Sequence, residues 1–527
     1  MGANGRDNTD ETNGTNHVDP NIVKSPLAEK HASKVIPDVP FTDILFQAID
    51  MKYDVLKDRI WVGDIRTGVS YKYRDIKPMS RKVASALSRL GFMKGDVMFY
   101  CTYDCSLIYL VNMGVWLCGG AVRGSFQRDE KEMFVKRMRE VSVRFAICDS
   151  EAAATVKWAV NQLDWRVTIL SIGGKVEGAL SIEDLIESED CSAYPKDAKI
   201  NTKEDIFVIT STSGSSGTPK GVMNTHHALT EYISSRIPQE KIDGNQCFTA
   251  MTTFKNAYSS IVSVLSEITL NGASLYTTSR FEVNSFMKYV LSYRPSQLIL
   301  YAYELHAFLQ PDRIRMNDLS FIKCIKSVGA VIHYATAKTL QDLLPQTRLI
   351  MSYALSETLI ISSPVFGGQP EIRYPEHEGI VAGIKYKKLG NETYLTCGKL
   401  YPGVIAKVVD PSSGKTLGSN EKGSLLIKTT LLMKGYITET NKEISKGVDG
   451  EGWLHTGDEG FFDEDGWLYI VGRSKFTFKH CGRRVCPTDV EAVVINHPSV
   501  ESVVVVGVPN PKTTADAKAY VILKPAY

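Results

Sequence analysis

The chain has 527 residues, 43% of them hydrophobic and 23% charged, with a formal net charge of +2. That length holds more than one domain and buries a large core, and the composition is that of a globular protein. A near-neutral balance gives no reason to expect nucleic acid or an anionic membrane as the main partner.

Residues 1–38 are polar, rich in Asn, Asp, Gly and Thr, and lack an apolar signal-peptide core, so they are expected to form a disordered tail. Arg6 stands where myristoylation after Met1-Gly2 wants Ser or Thr. From about Phe41 to Ser363 helical and strand patterns alternate. Val83, Leu87 and Leu90 recur at helical spacing over Ser80–Leu90, and Gly91 follows as a stop. Leu107–Val122 is the longest apolar stretch. It is too short and too Gly-rich to span a membrane and is expected to be a buried helix. Val97–Tyr100, Phe145–Cys148, Leu298–Tyr301 and Leu349–Ser352 read as strands. The alternation argues for mostly parallel sheets covered by helices. After about Gly390 the pattern changes to short strands, Val404–Val409, Gly423–Ile427 and Trp467–Val471, with turns such as Asp463-Glu464-Asp465-Gly466. A small β-rich subdomain is expected there. A helix over Thr488–Asn496 and a strand over Ser502–Val508 suggest a final small α/β domain beyond a hinge. The ten cysteines are scattered. Their closest pairs, Cys101 with Cys105 and Cys481 with Cys486, form no C-x-x-C, and no histidine cluster accompanies them. Reduced, mostly buried thiols are expected rather than zinc ligands. With no signal peptide and no terminal Ser-Lys-Leu, a cytoplasmic location is expected.

The densest chemistry lies at residues 210–221, Thr-Ser-Thr-Ser-Gly-Ser-Ser-Gly-Thr-Pro-Lys-Gly. An apolar run, Ile206–Ile209, precedes it, so the segment is a loop leaving a strand. Gly214, Gly217 and Gly221 let the backbone bend and bring its N–H groups close to a ligand. Thr212, Ser213, Ser215 and Ser216 add hydroxyls and Lys220 a positive charge, a set suited to nucleotide phosphates. A Walker A loop places Ser or Thr after its Gly-Lys pair. Here Pro219 precedes the lysine and Gly221 follows it. A flexible Ser/Gly linker needs neither the Pro-Lys-Gly nor the preceding strand.

This loop resembles the phosphate loop of the adenylate-forming (AMP-binding) superfamily, in particular the acyl-CoA synthetase, 4-coumarate–CoA ligase and beetle luciferase branch. The family pattern is Thr/Ser-Ser-Gly-Thr/Ser-Thr-Gly-x-Pro-Lys-Gly, and the resemblance runs from about residue 40 to the C-terminus. It implies an α/β fold: a large N-terminal AMP-binding domain, residues 39–474, of two helix-covered sheets plus a small β-barrel-like subdomain, then a small α+β lid, residues 475–527. It also implies ATP or AMP, Mg²⁺ and CoA as cofactors and co-substrates, and a small carboxylic acid as the group activated. Tyr353-Ala354-Leu355-Ser356-Glu357 matches the family's Tyr-Gly-x-Thr-Glu. By that likeness Tyr353 stacks on adenine, Ser356 contacts the α-phosphate and Glu357 binds Mg²⁺, for which a carboxylate oxygen is the right donor. Asp458, in Trp453-Leu454-His455-Thr456-Gly457-Asp458, would hold the ribose hydroxyls, with Arg473 beside it. Ser327-Val328-Gly329-Ala330 corresponds to a Ser-Gly-Gly-Ala that lies by the adenine and acyl pocket, so Gly329 and Ala330 join the binding set. Lys220 with Ser356 and Glu357 forms the expected catalytic set.

The sequence also departs from the family. The lid is expected to be cut short before a Pro-Lys-x-x-x-Gly-Lys-like segment whose lysine bridges carboxylate and α-phosphate, and Lys512, Lys518 and Lys524 do not match it. Lys255-Asn256 stand where luciferases carry a gate histidine pair. Ser424 replaces a glutamate, and Cys481 a lysine, before Gly482. Gly472 replaces an aspartate and is expected to loosen the backbone before a hinge at about Lys475. The basic stretch Lys479–Arg484 has two readings: a surface for CoA phosphates or a solvated turn. Two functions follow. The chain is an ATP-dependent carboxylate–CoA ligase, or it is a catalytically impaired protein that binds a nucleotide or acyl-adenylate.

Overall fold

The computed structural model describes residues 19–32, 34–103, 106–125, 129–212, 220–236, 248–252, 267–278, 281–364, 379–437, 447–481, 483–495, 497 and 499–523. Two sheets form the body. One has eight described strands and the other seven. The eight-stranded sheet runs, edge to edge, Gly435–Ile437, Gly221–Thr225, Ile206–Ser211, Ala121–Gly124, Val97–Cys101, Phe145–Cys148, Thr168–Ser171 and Leu180–Ser181. From Ile206–Ser211 onward its neighbours are parallel, and only the first two strands run against theirs. The seven-stranded sheet runs Arg348–Met351, Cys324–Val328, Gln297–Tyr301, Thr249–Thr252, Ser274–Thr277, Ile60–Asp64 and Ser70–Lys72, and is parallel except for the last pair. Parallel strands need crossover helices on both faces, which is why the sequence alternates.

Helix Tyr73–Arg89 packs with helix Ile108–Leu117. The first begins a full turn and more before the expected Ser80. The Asp75 carboxylate accepts the backbone N–H of Lys72 at 2.7 Å, which caps the start, and Pro78 is carried inside the helix. The apolar stretch expected as one buried helix, Leu107–Val122, is instead a helix and a strand. Helix Ile108–Leu117 is buried throughout and ends at Gly119, φ +71°, and Ala121–Gly124 continues as a sheet strand. Both halves are apolar because both are covered on all sides, and periodicity alone does not separate such segments.

The third layer is an antiparallel sheet of five described strands: Val23–Lys24, Val404–Val409, Gly423–Thr429, Leu454–Phe462 and Leu468–Arg473. Its first strand falls within residues 1–38, expected to be disordered. Val23 and Lys24 pair with Ala406 and Ile405, and Ile22 packs beside Val409, Leu426 and Trp453. The turn at Asp463–Gly466 forms as expected. Asp463 is buried, accepts the N–H groups of Asp465 and Trp467 at 3.0 and 2.9 Å, and pairs with Lys385 at 2.8 Å.

The last segment is a sheet of four described strands with helix Pro487–Val494 against it. The expected α+β character is therefore present among the described residues of this last segment. Among the described residues no helix is long and apolar enough to cross a membrane. Among the described residues eight cysteines are thiols, and five of them are buried.

His226 opens helix His226–Arg236 and is fully buried, stacked on Phe41 at 5.0 Å between ring centroids. Neither ring nitrogen has a hydrogen-bond partner among the described residues. Burial pushes its pKa from 6.5 down to about 4. The unfolded chain takes up a proton near pH 6.5 that the native chain refuses until about 4. Stability therefore falls as pH drops through that window, by up to about 3 kcal/mol from this ring. His226→Phe, which keeps the apolar stack, is expected to remove that part of the acid sensitivity. Chemical unfolding of both chains at about pH 7 and about pH 4.5 measures it. An identical acid loss in the variant would place the sensitivity elsewhere.

Candidate active site

The phosphate-loop segment connects two antiparallel neighbours, Ile206–Ser211 and Gly221–Thr225, in the register Gly221 opposite Ser211. It is thus the loop of a hairpin. Its base is closed by Thr212 N–H on the Lys220 carbonyl at 3.0 Å and by Lys220 N–H on the Thr212 hydroxyl at 3.1 Å. Lys220 is exposed, with its Nζ 5.2 Å from the ring centroid of Tyr436. Ser213, Gly214, Ser215, Ser216 and Gly217 lie outside the described residues.

Beyond Met351, the seven-stranded sheet leads into Tyr353–Glu357. Tyr353 exchanges backbone hydrogen bonds with Ser362 at 3.0 and 3.1 Å. The following turn is tied to the hairpin strands. Asn224 Nδ2 donates to the Ser356 carbonyl at 3.2 Å, the Ser356 hydroxyl donates to the Ser211 carbonyl at 3.4 Å, and Met433 N–H donates to the Glu357 carbonyl at 2.7 Å. Ser356 and Glu357 therefore sit at the root of the phosphate loop. Glu357 is partly exposed, and its Oε1 accepts the Tyr436 hydroxyl at 2.9 Å.

Asp458 and Arg473 are register partners in the antiparallel sheet. Arg473 Nε lies 2.9 Å from Asp458 Oδ1, and the other carboxylate oxygen accepts the Tyr353 hydroxyl. Thr456 Oγ1 accepts the Asp458 N–H at 3.1 Å, and Arg473 Nη1 reaches the Thr456 carbonyl at 3.4 Å. Burial raises the Asp458 pKa, against the opposing pull of Arg473 and the Tyr353 hydrogen bond. Burial also lifts the Tyr353 phenol well above its ordinary value, with the Asp458 charge acting in the same direction. So the expected Tyr353, Asp458 and Arg473 do come together, with Tyr353 bonded to the carboxylate through its hydroxyl. Gly329 and Ala330 lie exposed just past strand Cys324–Val328, with Gly329 at φ +86° beside the Tyr301 ring.

Gly472 does not loosen the backbone. It lies within strand Leu468–Arg473, opposite Glu459, and is buried. A Cβ there would sit 3.2 Å from Cys486 Sγ and 3.3 Å from Thr488 Oγ1, so the missing side chain admits the lid's close approach. Thr488 Oγ1 donates to the Val471 carbonyl at 2.9 Å, and Cys486 packs in one cluster with Tyr394, Phe461, Trp467, Tyr469 and Val471. Lys475 follows in the 3₁₀ turn Ser474–Phe476, its Nζ 4.4 Å from the Phe476 ring centroid. Lys479 and His480 are exposed on the lid, whereas Gly482, Lys255 and Asn256 lie outside the described residues.

Sequence reasoning missed Asn224, Thr456 and Tyr436. Tyr436 has no motif of its own. Its place follows from strand pairing, which sets it opposite Val222, two residues past Lys220.

Comparison with known proteins gives the family and the fold. The model of the AMP-binding enzyme family matches residues 53–437, and that of the AMP-binding enzyme C-terminal domain matches 489–527. The 4-coumarate–CoA ligase-like 1 protein of Arabidopsis thaliana is 26% identical over 464 residues, covering 87% of this chain and 81% of the relative. The peroxisomal OPC-8:0-CoA ligase 1 of the same plant is 24% identical over 476 residues, 89% of this chain and 82% of the relative. Among solved structures, the anthranilate CoA ligase AuaEII in complex with anthranoyl-AMP superposes with a TM-score of 0.76 at 21% identity, over 94% of this chain and 89% of that one. The luciferase-like enzyme of the nonluminescent mealworm Zophobas morio gives 0.69 at 21%, over 84% and 96%. The fold is that of these proteins, and the chain belongs to the AMP-binding enzyme family.

Proposed function

We propose that the protein activates a carboxylic acid with ATP and transfers the acyl group to CoA. The carboxylate oxygen attacks the α-phosphorus and pyrophosphate leaves, giving an acyl-adenylate. The CoA thiol then attacks the acyl carbon and AMP leaves, with the thiol proton passing to solvent. The observation that supports this reading is the convergence of Tyr353, Asp458 and Arg473 on one side and Thr212, Lys220, Ser356 and Glu357 on the other.

In this reading the buried Asp458 carboxylate accepts the ribose hydroxyls, and Arg473 keeps it ionised and oriented. Lys220 and the loop N–H groups meet the phosphates, and Ser356 lies at the α-phosphate. Glu357 fits a divalent cation. Its Oε1 is held by Tyr436, and no cluster of three metal-ligating side chains occurs among the described residues. One carboxylate supplemented by substrate phosphates is a setting that Mg²⁺ accepts. Such an ion, held by Glu357, would neutralise phosphate charge.

The test is pyrophosphate release and thioester formation over a panel of aromatic and aliphatic carboxylic acids, with and without CoA. Acid-dependent pyrophosphate followed by CoA-dependent thioester is expected. Nucleotide binding with no pyrophosphate for any acid would overturn the ligase reading and favour the alternative, a protein that binds a nucleotide or acyl-adenylate without efficient turnover.

A further inference from the structure

Tyr436 touches both charged groups of the phosphate site and belongs to neither motif. It sits on the short edge strand Gly435–Ile437, paired antiparallel with the strand that leaves the phosphate loop. Its hydroxyl donates to Glu357 Oε1 at 2.9 Å, while Lys220 Nζ lies over its ring at 5.2 Å from the centroid. The strand is fixed at the same place by Lys434 N–H on the Met223 carbonyl at 2.8 Å and by Met433 N–H on the Glu357 carbonyl at 2.7 Å. Lys220 and Glu357 carry opposite charges on adjoining segments, yet they do not pair with each other; each meets the tyrosine.

We infer that Tyr436 is a positioning residue that separates Lys220 from Glu357, holding the cation for the phosphates and the carboxylate for the metal. This rests on the nucleotide-site reading above and adds a residue to it. The physical argument is competition. An ammonium and a carboxylate at the mouth of one loop attract each other, and a direct ion pair would remove both from the ligand. A phenol between them satisfies each through a different part: the hydroxyl bonds the anion and the ring face attracts the cation. Neither contact neutralises the charge, so both groups stay available.

Two variants separate the two contacts. Tyr436→Phe keeps the ring and removes the donor. Tyr436→Leu removes both. Binding is read without turnover, by the melting-temperature shift given by ATP with Mg²⁺, by ATP with EDTA and by adenosine, and by Mn²⁺ titration followed by electron paramagnetic resonance. In Tyr436→Phe the Mn²⁺ dissociation constant in the presence of ATP is expected to rise about tenfold, the loss typical when a partner that orients a metal ligand is removed. Metal-free ATP binding should be unchanged. In Tyr436→Leu metal-free ATP binding should weaken as well, because Glu357 captures Lys220. Adding Glu357→Gln to Tyr436→Leu should restore metal-free ATP binding, an outcome that a merely structural role for the tyrosine does not give. Adenosine binding serves as the reference, since it depends on Tyr353 and Asp458.

If Tyr436→Phe binds Mn²⁺ as the native chain does, or if Glu357→Gln fails to rescue Tyr436→Leu while adenosine still binds, the positioning role is wrong and the nucleotide site stands. If the native chain shows no shift with any of the three ligands, the nucleotide site itself is wrong and this role falls with it.

Discussion

Exchanging Asp458 for asparagine is expected to lower the melting temperature by a few degrees and to remove most of the stabilisation that ATP would give. The carboxylate is 3% exposed and is held by two groups from different elements, Arg473 at 2.9 Å and the Tyr353 hydroxyl. Asparagine keeps the shape and loses the charge, so a guanidinium that had an ionised partner is left with an amide. The cost of leaving such a partner unsatisfied is about 1–3 kcal/mol, and the part-exposed Arg473 puts it toward the lower end. The effect on the nucleotide is larger, because an acceptor for two hydroxyls becomes a group that is half donor. Differential scanning with and without millimolar ATP reads both. A native-sized ATP shift in the variant would put the ribose elsewhere. The same carboxylate gives a pH dependence. Its pKa is raised by burial, so it protonates at a higher pH than an ordinary aspartate. Nucleotide affinity in the native chain should therefore decline on acidification before exposed carboxylates titrate, and the asparagine variant should lack that decline.

Glu357→Gln is expected to give the opposite pattern. Its side chain is partly exposed and its one described partner, Tyr436, donates to an amide oxygen as well as to a carboxylate. Stability should change by less than about 0.5 kcal/mol, as for a surface exchange. Metal-dependent pyrophosphate release should fall by a factor on the order of 100 or more, the loss seen when a preorganised electrostatic partner of a developing charge is removed. The measurement is initial rate against Mg²⁺ concentration at saturating ATP and acid. Equal rates in the two chains would place the metal elsewhere.

The fold was legible where local pattern and burial agree. Phe145–Cys148 and Val404–Val409 begin and end where their apolar runs and turn residues place them. Leu107–Val122 misled because its helix and its strand are both buried on every side, leaving no face to set a period. Gly472 misled for a different reason. A glycine read along the chain suggests freedom, whereas here it is fixed in a ladder and its missing Cβ is filled by Cys486 and Thr488 of another segment. In the site, Asp458 and Glu357 could be found because they stand in motifs that announce their chemistry. Tyr436 could not, since only its strand register brings it to Glu357, 79 residues away.

That separation has a kinetic meaning. The hydrogen bond from Tyr353 to Asp458 closes 105 residues of chain, that from Tyr436 to Glu357 closes 79, and that from Asn224 to Ser356 closes 132. Each joins layers that fold around different strands, so each loop is closed only after its layers have formed and docked. The proposed nucleotide site is thus expected to form late on the folding path. On the proposed function, nucleotide would bind only the finished molecule and would draw maturing chains toward it by mass action.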